Sequence, residues 1–205
     1  ELMDADGDGR LDLMVRAGGL SGYYPMRFDG GFDGRSFQAY ETAPSFPIAD
    51  PRTRLIDLNG DGVIDALRTG AQFECYFQKR PRPDQEARPP GWDETKVIQR
   101  QSDFTQFPDV DFANPRVKLA DMTGDGLMDI VLIHQNRVDY WPNLGFGNFA
   151  ARRTMIPAVS LPKDYDPRFL LLGDVDGDGC ADLVYVGPRS VKIWINQTGN
   201  GFSDT

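Results

Sequence analysis

Four stretches of nine residues read D-x-[D/N/T]-G-D-G-x-x-D. In the first, Asp4, Asp6 and Asp8 hold positions 1, 3 and 5, Arg10 position 7 and Asp12 position 9. The second holds Asp57, Asn59, Asp61, Val63 and Asp65 at those positions. The third holds Asp121, Thr123, Asp125, Leu127 and Asp129, and the fourth Asp174, Asp176, Asp178, Cys180 and Asp182. Oxygen side chains at positions 1, 3 and 5, with glycine at position 6, suit a hard cation. Alternate side chains of a tight loop converge on one point, and glycine permits the turn. An EF-hand would add Glu at position 12, where this chain has Val15, Arg68, Leu132 and Tyr185. The last carboxylate instead stands at position 9. Side chains at 1, 3, 5 and 9 with the carbonyl at 7 supply five ligands. A bidentate Asp at 9, or a water, reaches the six to eight oxygens that Ca²⁺ prefers. Mg²⁺ wants a tighter octahedron, and Zn²⁺ wants His or Cys.

Aspartate and glycine are also turn residues, so one copy alone would read equally well as a metal-free turn. Four copies at spacings of 53, 64 and 53 residues favour the cation. The charge agrees. The loops hold 14 of the 26 Asp residues, and setting them aside moves the net charge from -9 to +5. Four structural Ca²⁺ sites are therefore expected. The loops with four carboxylates should hold the ion more tightly, the Asp174 loop above the Asp121 loop.

Other chemistry finds little support. The single histidine, His134, ends an apolar run with no evident partner. Cys75 alternates within a strand-like run, and Cys180 stands where only a carbonyl is needed; both read as packing residues. No G-x-S-x-G, H-E-x-x-H or P-loop occurs. Paired carboxylates could serve a glycosidase, but these belong to the loops. Tyr140, Trp141 and Trp194 could stack on sugars, yet at strand spacing such residues more often fill gaps between sheets. The chain is expected not to be an enzyme. A net charge of -9 disfavours nucleic acid as a partner. No stretch reaches the ~18 apolar residues of a membrane span. The chain opens at Glu1, directly against a motif, and is expected to be a piece of a larger protein.

The loops need strands to hold them. Short apolar runs flank each copy, as in Val117-Lys118-Leu119-Ala120 before and Ile130-Val131-Leu132-Ile133 after. A turn signal follows, such as Gly18-Gly19 or Gly187-Pro188, and then a second alternating run such as Val191-Lys192-Ile193-Trp194-Ile195. This is a strand and hairpin signature. No 3.6-residue period is sustained. The fold class is all-β, one small antiparallel sheet per repeat, with repeats near 1–50, 51–115, 116–168 and 169–205 in a single repeat domain. Four-stranded blades of a β-propeller fit that period; a sandwich leaves the repetition unexplained. The longer second repeat carries its excess near 79–92, which holds four of the 15 prolines. A strand cannot pass through such a stretch, so a protruding loop is expected.

A closing element also recurs, as Asn143-Leu144-Gly145-Phe146-Gly147-Asn148-Phe149 and Asn196-Gln197-Thr198-Gly199-Asn200-Gly201-Phe202. Together with the loops it resembles the FG-GAP/VCBS repeats of calcium-binding β-propellers, integrin α chains among them. Over 116–205 a longer string is similar to the B component of insecticidal toxin complexes, the SpvB-like family. It includes Val138-Asp139-Tyr140-Trp141-Pro142-Asn143-Leu144-Gly145, Tyr165-Asp166-Pro167-Arg168 and Trp194-Ile195-Asn196-Gln197. That resemblance implies a β-propeller in a large secreted toxin. It would join the remainder of its own chain, dock on the pore-forming A component and gate passage of the toxic chain, without being an enzyme. The 79–92 stretch matches no motif of that family. An FG-GAP adhesion or carbohydrate-binding module is the alternative, and a polysaccharide lyase or hydrolase a third.

Overall fold

Each aspartate loop connects two antiparallel strands, and its ninth residue opens the second of them. The computed structural model describes residues 1–79, 90–99 and 107–204. The first sheet contains β1 (Leu2–Met3), β2 (Asp12–Ala17), β3 (Leu20–Tyr24) and β4 (Gln38–Ala39), in that order. The second repeat supplies β5 (Thr53–Ile56), β6 (Asp65–Arg68), β7 (Phe73–Tyr76), β8 (Gln78–Lys79), β9 (Gly91–Trp92) and β10 (Lys96–Ile98). Here the sheet order is β10-β7-β6-β5, with β8 and β9 forming a separate ladder. The third sheet runs β11 (Val117–Ala120), β12 (Asp129–His134), β13 (Arg137–Trp141), β14 (Arg153–Thr154). The fourth runs β15 (Leu170–Gly173), β16 (Asp182–Val186), β17 (Val191–Asn196), β18 (Phe202–Asp204). The protein is thus all-β, built of four-stranded antiparallel sheets. Among the described residues there is no α-helix, one 3₁₀ turn (Pro167–Phe169), and no helix long and apolar enough to cross a membrane.

The register repeats. Met3 pairs with Asp12, Ile56 with Asp65, Ala120 with Asp129 and Gly173 with Asp182. The same loop position therefore starts the second strand of every sheet. Hairpin chemistry follows the sequence. Ala17 pairs with Leu20 across Gly18 and Gly19, whose φ angles of 60° and 84° are those a two-residue type I′ turn demands.

Two compact units divide the chain, Glu1–Ile98 and Gln99–Thr205, with two of the four-stranded sheets in each. In the first, Met3, Ala5, Met14, Tyr23, Ala66 and Tyr76 pack with Tyr40, Phe46 and Trp92. In the second, residues of β11–β13 pack against Leu170, Leu183, Tyr185, Trp194 and Phe202, with Met155, Val159 and Leu161 of the connecting segment between them.

The 79–92 stretch departs from expectation at its ends. Residues 80–89 lie outside the described residues. Lys79 and Gly91 nonetheless pair, as do Gln78 and Trp92, so strand structure enters the stretch from both sides. Residues 91 and 92 are not prolines and keep their donors. The Trp92 N–H donates to Thr42 O at 3.1 Å, and the Pro90 carbonyl accepts from Glu41 N at 2.8 Å. The indole of Trp92 is buried, 4.9 Å centroid to centroid from Phe46 and 6.2 Å from Tyr40. A composition rich in proline hid a core residue. Replacing Trp92 by Ala should cost about 3–5 kcal/mol, the usual range for a buried Trp, read as a lower urea midpoint at unchanged slope.

Candidate metal centres

Two carboxylates build each loop from inside. The aspartate at position 1 folds back on the turn. Its Oδ1 accepts from the glycine N–H at position 4, at 2.8 Å for Gly7 and 2.7 Å for Gly60, Gly124 and Gly177. Its Oδ2 accepts from the glycine N–H at position 6, at 2.7–3.0 Å across Gly9, Gly62, Gly126 and Gly179. Both glycines take positive φ in every loop, from 77° at Gly60 to 89° at Gly179, a region costly for a side chain.

The aspartate at position 9 does something different. Asp12, Asp65, Asp129 and Asp182 are buried. One oxygen of each accepts the N–H at loop position 2: Ala5 at 2.9 Å, Leu58 at 3.1 Å, Met122 at 3.0 Å, Val175 at 2.9 Å. The other accepts an N–H at or just past the end of the third strand: Met26 at 3.0 Å, Gln78 at 2.9 Å, Asn143 at 2.8 Å, Asn196 at 2.7 Å. One carboxylate thus joins loop, second strand and third strand.

The carboxylates at positions 1, 3 and 5 face one another. The ligand oxygens of Asp4, Asp6 and Asp8 lie within 4.8 Å of one another, as do those of Asp174, Asp176 and Asp178. Asp12 and Asp182 do not join these groups. The loops with Asn59 and Thr123 at position 3 bring two acid side chains and one neutral oxygen instead. At the third loop that oxygen is telling. Thr123 Oγ1 is buried without a hydrogen-bond partner, a loss of about 1–3 kcal/mol unless something else meets it. An unmet oxygen at a ligand position, and acid groups crowded at the others, fit an oxygen-seeking cation. At position 7, Arg10 turns its guanidinium onto Asp8, with Nε 2.8 Å from Oδ2. That pairing holds the Asp8 carboxyl below its ordinary range.

Charge and burial shift the others upward. Burial, then repulsion from Asp12 and Asp8, raises Asp6. Burial raises Asp12, pushes Asp129 up to about 6 and Asp65 up to about 7, against the pull of their backbone donors. Both cysteines are free and buried, which pushes the Cys75 thiol up to about 12 and Cys180 up to about 11. Neither is a ready thiolate at neutral pH. His134 closes the β12–β13 hairpin opposite Arg137. Tyr140 and Trp141 are buried, and Trp194 packs in the core of its unit.

Sequence reasoning missed the double acceptor role of position 9. Its signal was the recurrence of the closing element at a fixed distance from that aspartate. The neighbouring loops also touch. A Cβ at Gly124 would stand 3.2 Å from Cys180 Sγ, and one at Gly7 would stand 3.3 Å from Gly62 O.

Known proteins resemble this chain in sequence and fold. The description FG-GAP-like repeat matches residues 121–185, from the third loop into β16. A chain of the Photorhabdus luminescens Tc holotoxin pore is 32% identical, with a TM-score of 0.80 over 100% of this chain and 9% of that one. The T-cell immunomodulatory protein homolog of Plasmodium yoelii yoelii is 26% identical over 171 residues, 73% of this chain and 24% of that protein. An Agrocybe aegerita lectin that recognises non-reducing terminal N-acetylglucosamine shares the fold, at 21% identity and a TM-score of 0.62 over 98% of this chain and 49% of its own. The chain therefore spans under half of each of these relatives. It is a β-rich chain whose residues 121–185 match an FG-GAP-like repeat, and it is similar in sequence and fold to part of a Tc toxin assembly.

Two outcomes follow without any metal present. Asp129→Ala strands two buried N–H groups at about 1–3 kcal/mol each, so it should lower chemical stability far more than Asp125→Ala. A carboxyl raised in the folded state stabilises fully below its unfolded pKa and loses that contribution as pH rises through the folded value. For Asp65 that window runs from the ordinary aspartate value of 3.8 to about 7. In chelator, stability should fall across it, and Asp65→Asn should flatten the fall in pH-dependent urea titrations.

Proposed function

We propose that this chain is a calcium-stabilised β-propeller module of a toxin-complex B-like protein, its sheets serving as blades. The observation that carries the reading is the repeated loop, four times in one register, in a chain 32% identical to part of a Tc holotoxin pore. At each loop, positions 1, 3 and 5 offer side-chain oxygens and position 7 a carbonyl. The carboxylate at position 9 backs the loop while its two oxygens hold backbone donors. Calcium, when bound, supplies the positive charge that lets the acidic side chains sit together. The ion is structural here. The buried thiols and the hairpin histidine offer no nucleophile and base, and the module is not an enzyme. Its role is assembly: docking on a pore-forming A component outside the cell and gating the passage of the toxic chain.

Calcium that binds only the folded chain stabilises it by about 2.7 kcal/mol per site at a hundredfold excess over Kd. EDTA should therefore lower the melting temperature markedly, and Asp178→Ala should lower it in calcium. An unchanged melting curve in EDTA would sink the reading. Site-resolved titration should show the Asp174 loop binding more tightly than the Asp121 loop. Arg10→Gln should tighten the Asp4 loop by freeing Asp8. The docking role is checked by mixing the chain with a purified Tc A-component pore and reading co-elution, which a soluble control protein should not show.

A further inference from the structure

In the second loop, the glycine that shapes the turn also makes the side chain before it chemically labile. Position 4 is glycine in every loop, with φ between 77° at Gly60 and 85° at Gly177. In the second loop that glycine follows an asparagine, Asn59. A glycine carries no Cβ to shield its backbone nitrogen, so that nitrogen can reach the amide carbon of the preceding asparagine side chain. Asp6, Thr123 and Asp176 hold the equivalent position in the other loops and have no side-chain amide to lose. Asn59 is half-buried and Gly60 exposed, so water reaches the pair.

Both reacting groups are held in the folded loop. The Gly60 N–H donates to Asp57 Oδ1 at 2.7 Å, and the Asn59 N–H donates to the same oxygen at 3.2 Å. The Asn59 side chain is fixed on Asp61. Its Oδ1 accepts the Asp61 N–H at 2.9 Å, and its Nδ2 donates to Asp61 Oδ2 at 3.3 Å. The attacking form is the Gly60 nitrogen without its proton, and the adjoining Asp57 carboxylate disfavours that second negative charge. We propose that Asn59–Gly60 is a self-modification site, closed while Asp57 holds the Gly60 N–H and open when the loop loosens. Gly60 N gives up its proton to solvent and bonds to Asn59 Cγ. The Cγ–Nδ2 bond breaks, and Nδ2 leaves as ammonia. Water then opens the resulting succinimide. Opening at Cγ leaves aspartate; opening at the main-chain carbonyl leaves isoaspartate, with one more methylene in the backbone. Aspartate gives this loop the four carboxylates of the Asp4 and Asp174 loops. Isoaspartate lengthens the span between Asp57 and the Gly60 and Gly62 N–H groups it binds. Neither product reverts, so each chain keeps a record that its second loop has opened. The reaction needs no bound ion, and the proposal holds whether or not the loops bind calcium.

The test incubates the full chain in chelator at mildly alkaline pH and follows both of its Asn-Gly pairs by peptide mass mapping. Asn200–Gly201 is the second pair and reports opening elsewhere in the chain. There Gly201 is buried, and Asn200 Nδ2 donates to Gln197 O at 3.1 Å and to Thr198 O at 3.2 Å. In urea, Asn59 should convert readily, with aspartate and isoaspartate both among the products. In the folded chain its conversion should be about tenfold slower or more, because the loop must first open. Asp57→Ala should speed conversion of Asn59 in the folded chain and leave Asn200 unchanged. Asp4→Ala, the same change in the first loop, should leave Asn59 slow. Gly60→Ala should suppress conversion in urea. No conversion of Asn59 in urea would overturn the proposal. So would equal rates in the folded and unfolded chains, or equal acceleration by Asp57→Ala and Asp4→Ala.

Discussion

A buried carboxylate that accepts two backbone N–H groups organises every repeat. Asp12, Asp65, Asp129 and Asp182 each bind the loop at one oxygen and a backbone N–H at or just past the end of the third strand at the other. Burying such a group is costly unless its lone pairs are met, and here both oxygens are met by donors that the strands cannot use themselves. The register follows from it. The loop cannot slip against the second strand without breaking one bond, nor the third strand without breaking the other. The outer aspartates are then free to face one another at the tip. Their mutual repulsion is set by the fold rather than relieved by it, which is why a cation suits them.

Much of this was legible in the residues. The loop recurs often enough to mark a structural unit rather than a chance turn, and strand periodicity is local, so Tyr140, Trp141 and Trp194 read correctly as packing residues. Paired glycines at 18 and 19 marked their turn. What escaped was non-local. Nothing near Trp92 in sequence announces that Tyr40 and Phe46 will surround it. Proline density nearby argued the other way, because the influence of proline ends where the next residue regains a donor. Asp65 and Asp61 look alike as letters, but one is buried between two strands and the other stands at a loop tip. Thr123 looked like a weak ligand, and only its burial shows an oxygen left without a partner.

The repeats are alike in backbone and unlike in surroundings. Position 7 shows this best. It offers only a carbonyl to the loop, so its side chain is free to serve elsewhere. In the first loop it is Arg10, turned back onto Asp8; in the fourth it is Cys180, set against Gly124 of the adjacent loop. The same position thus carries a charge partner in one repeat and a packing contact in another. Similarity of the loop motif alone does not make four equivalent sites.

The β8–β9 ladder holds Lys79 and Gly91 in register at the base of the connection that carries the proline-rich insertion. With Trp92 locked into the core just behind it, the geometry of the second sheet no longer depends on how many residues lie between. Closing a longer stretch adds only about 0.6 kcal/mol for each doubling of its length. Insertions and deletions there are consequently close to neutral for the scaffold. A foreign epitope or tag grafted between the paired residues should therefore leave the β8–β9 ladder and the Trp92 contacts in place.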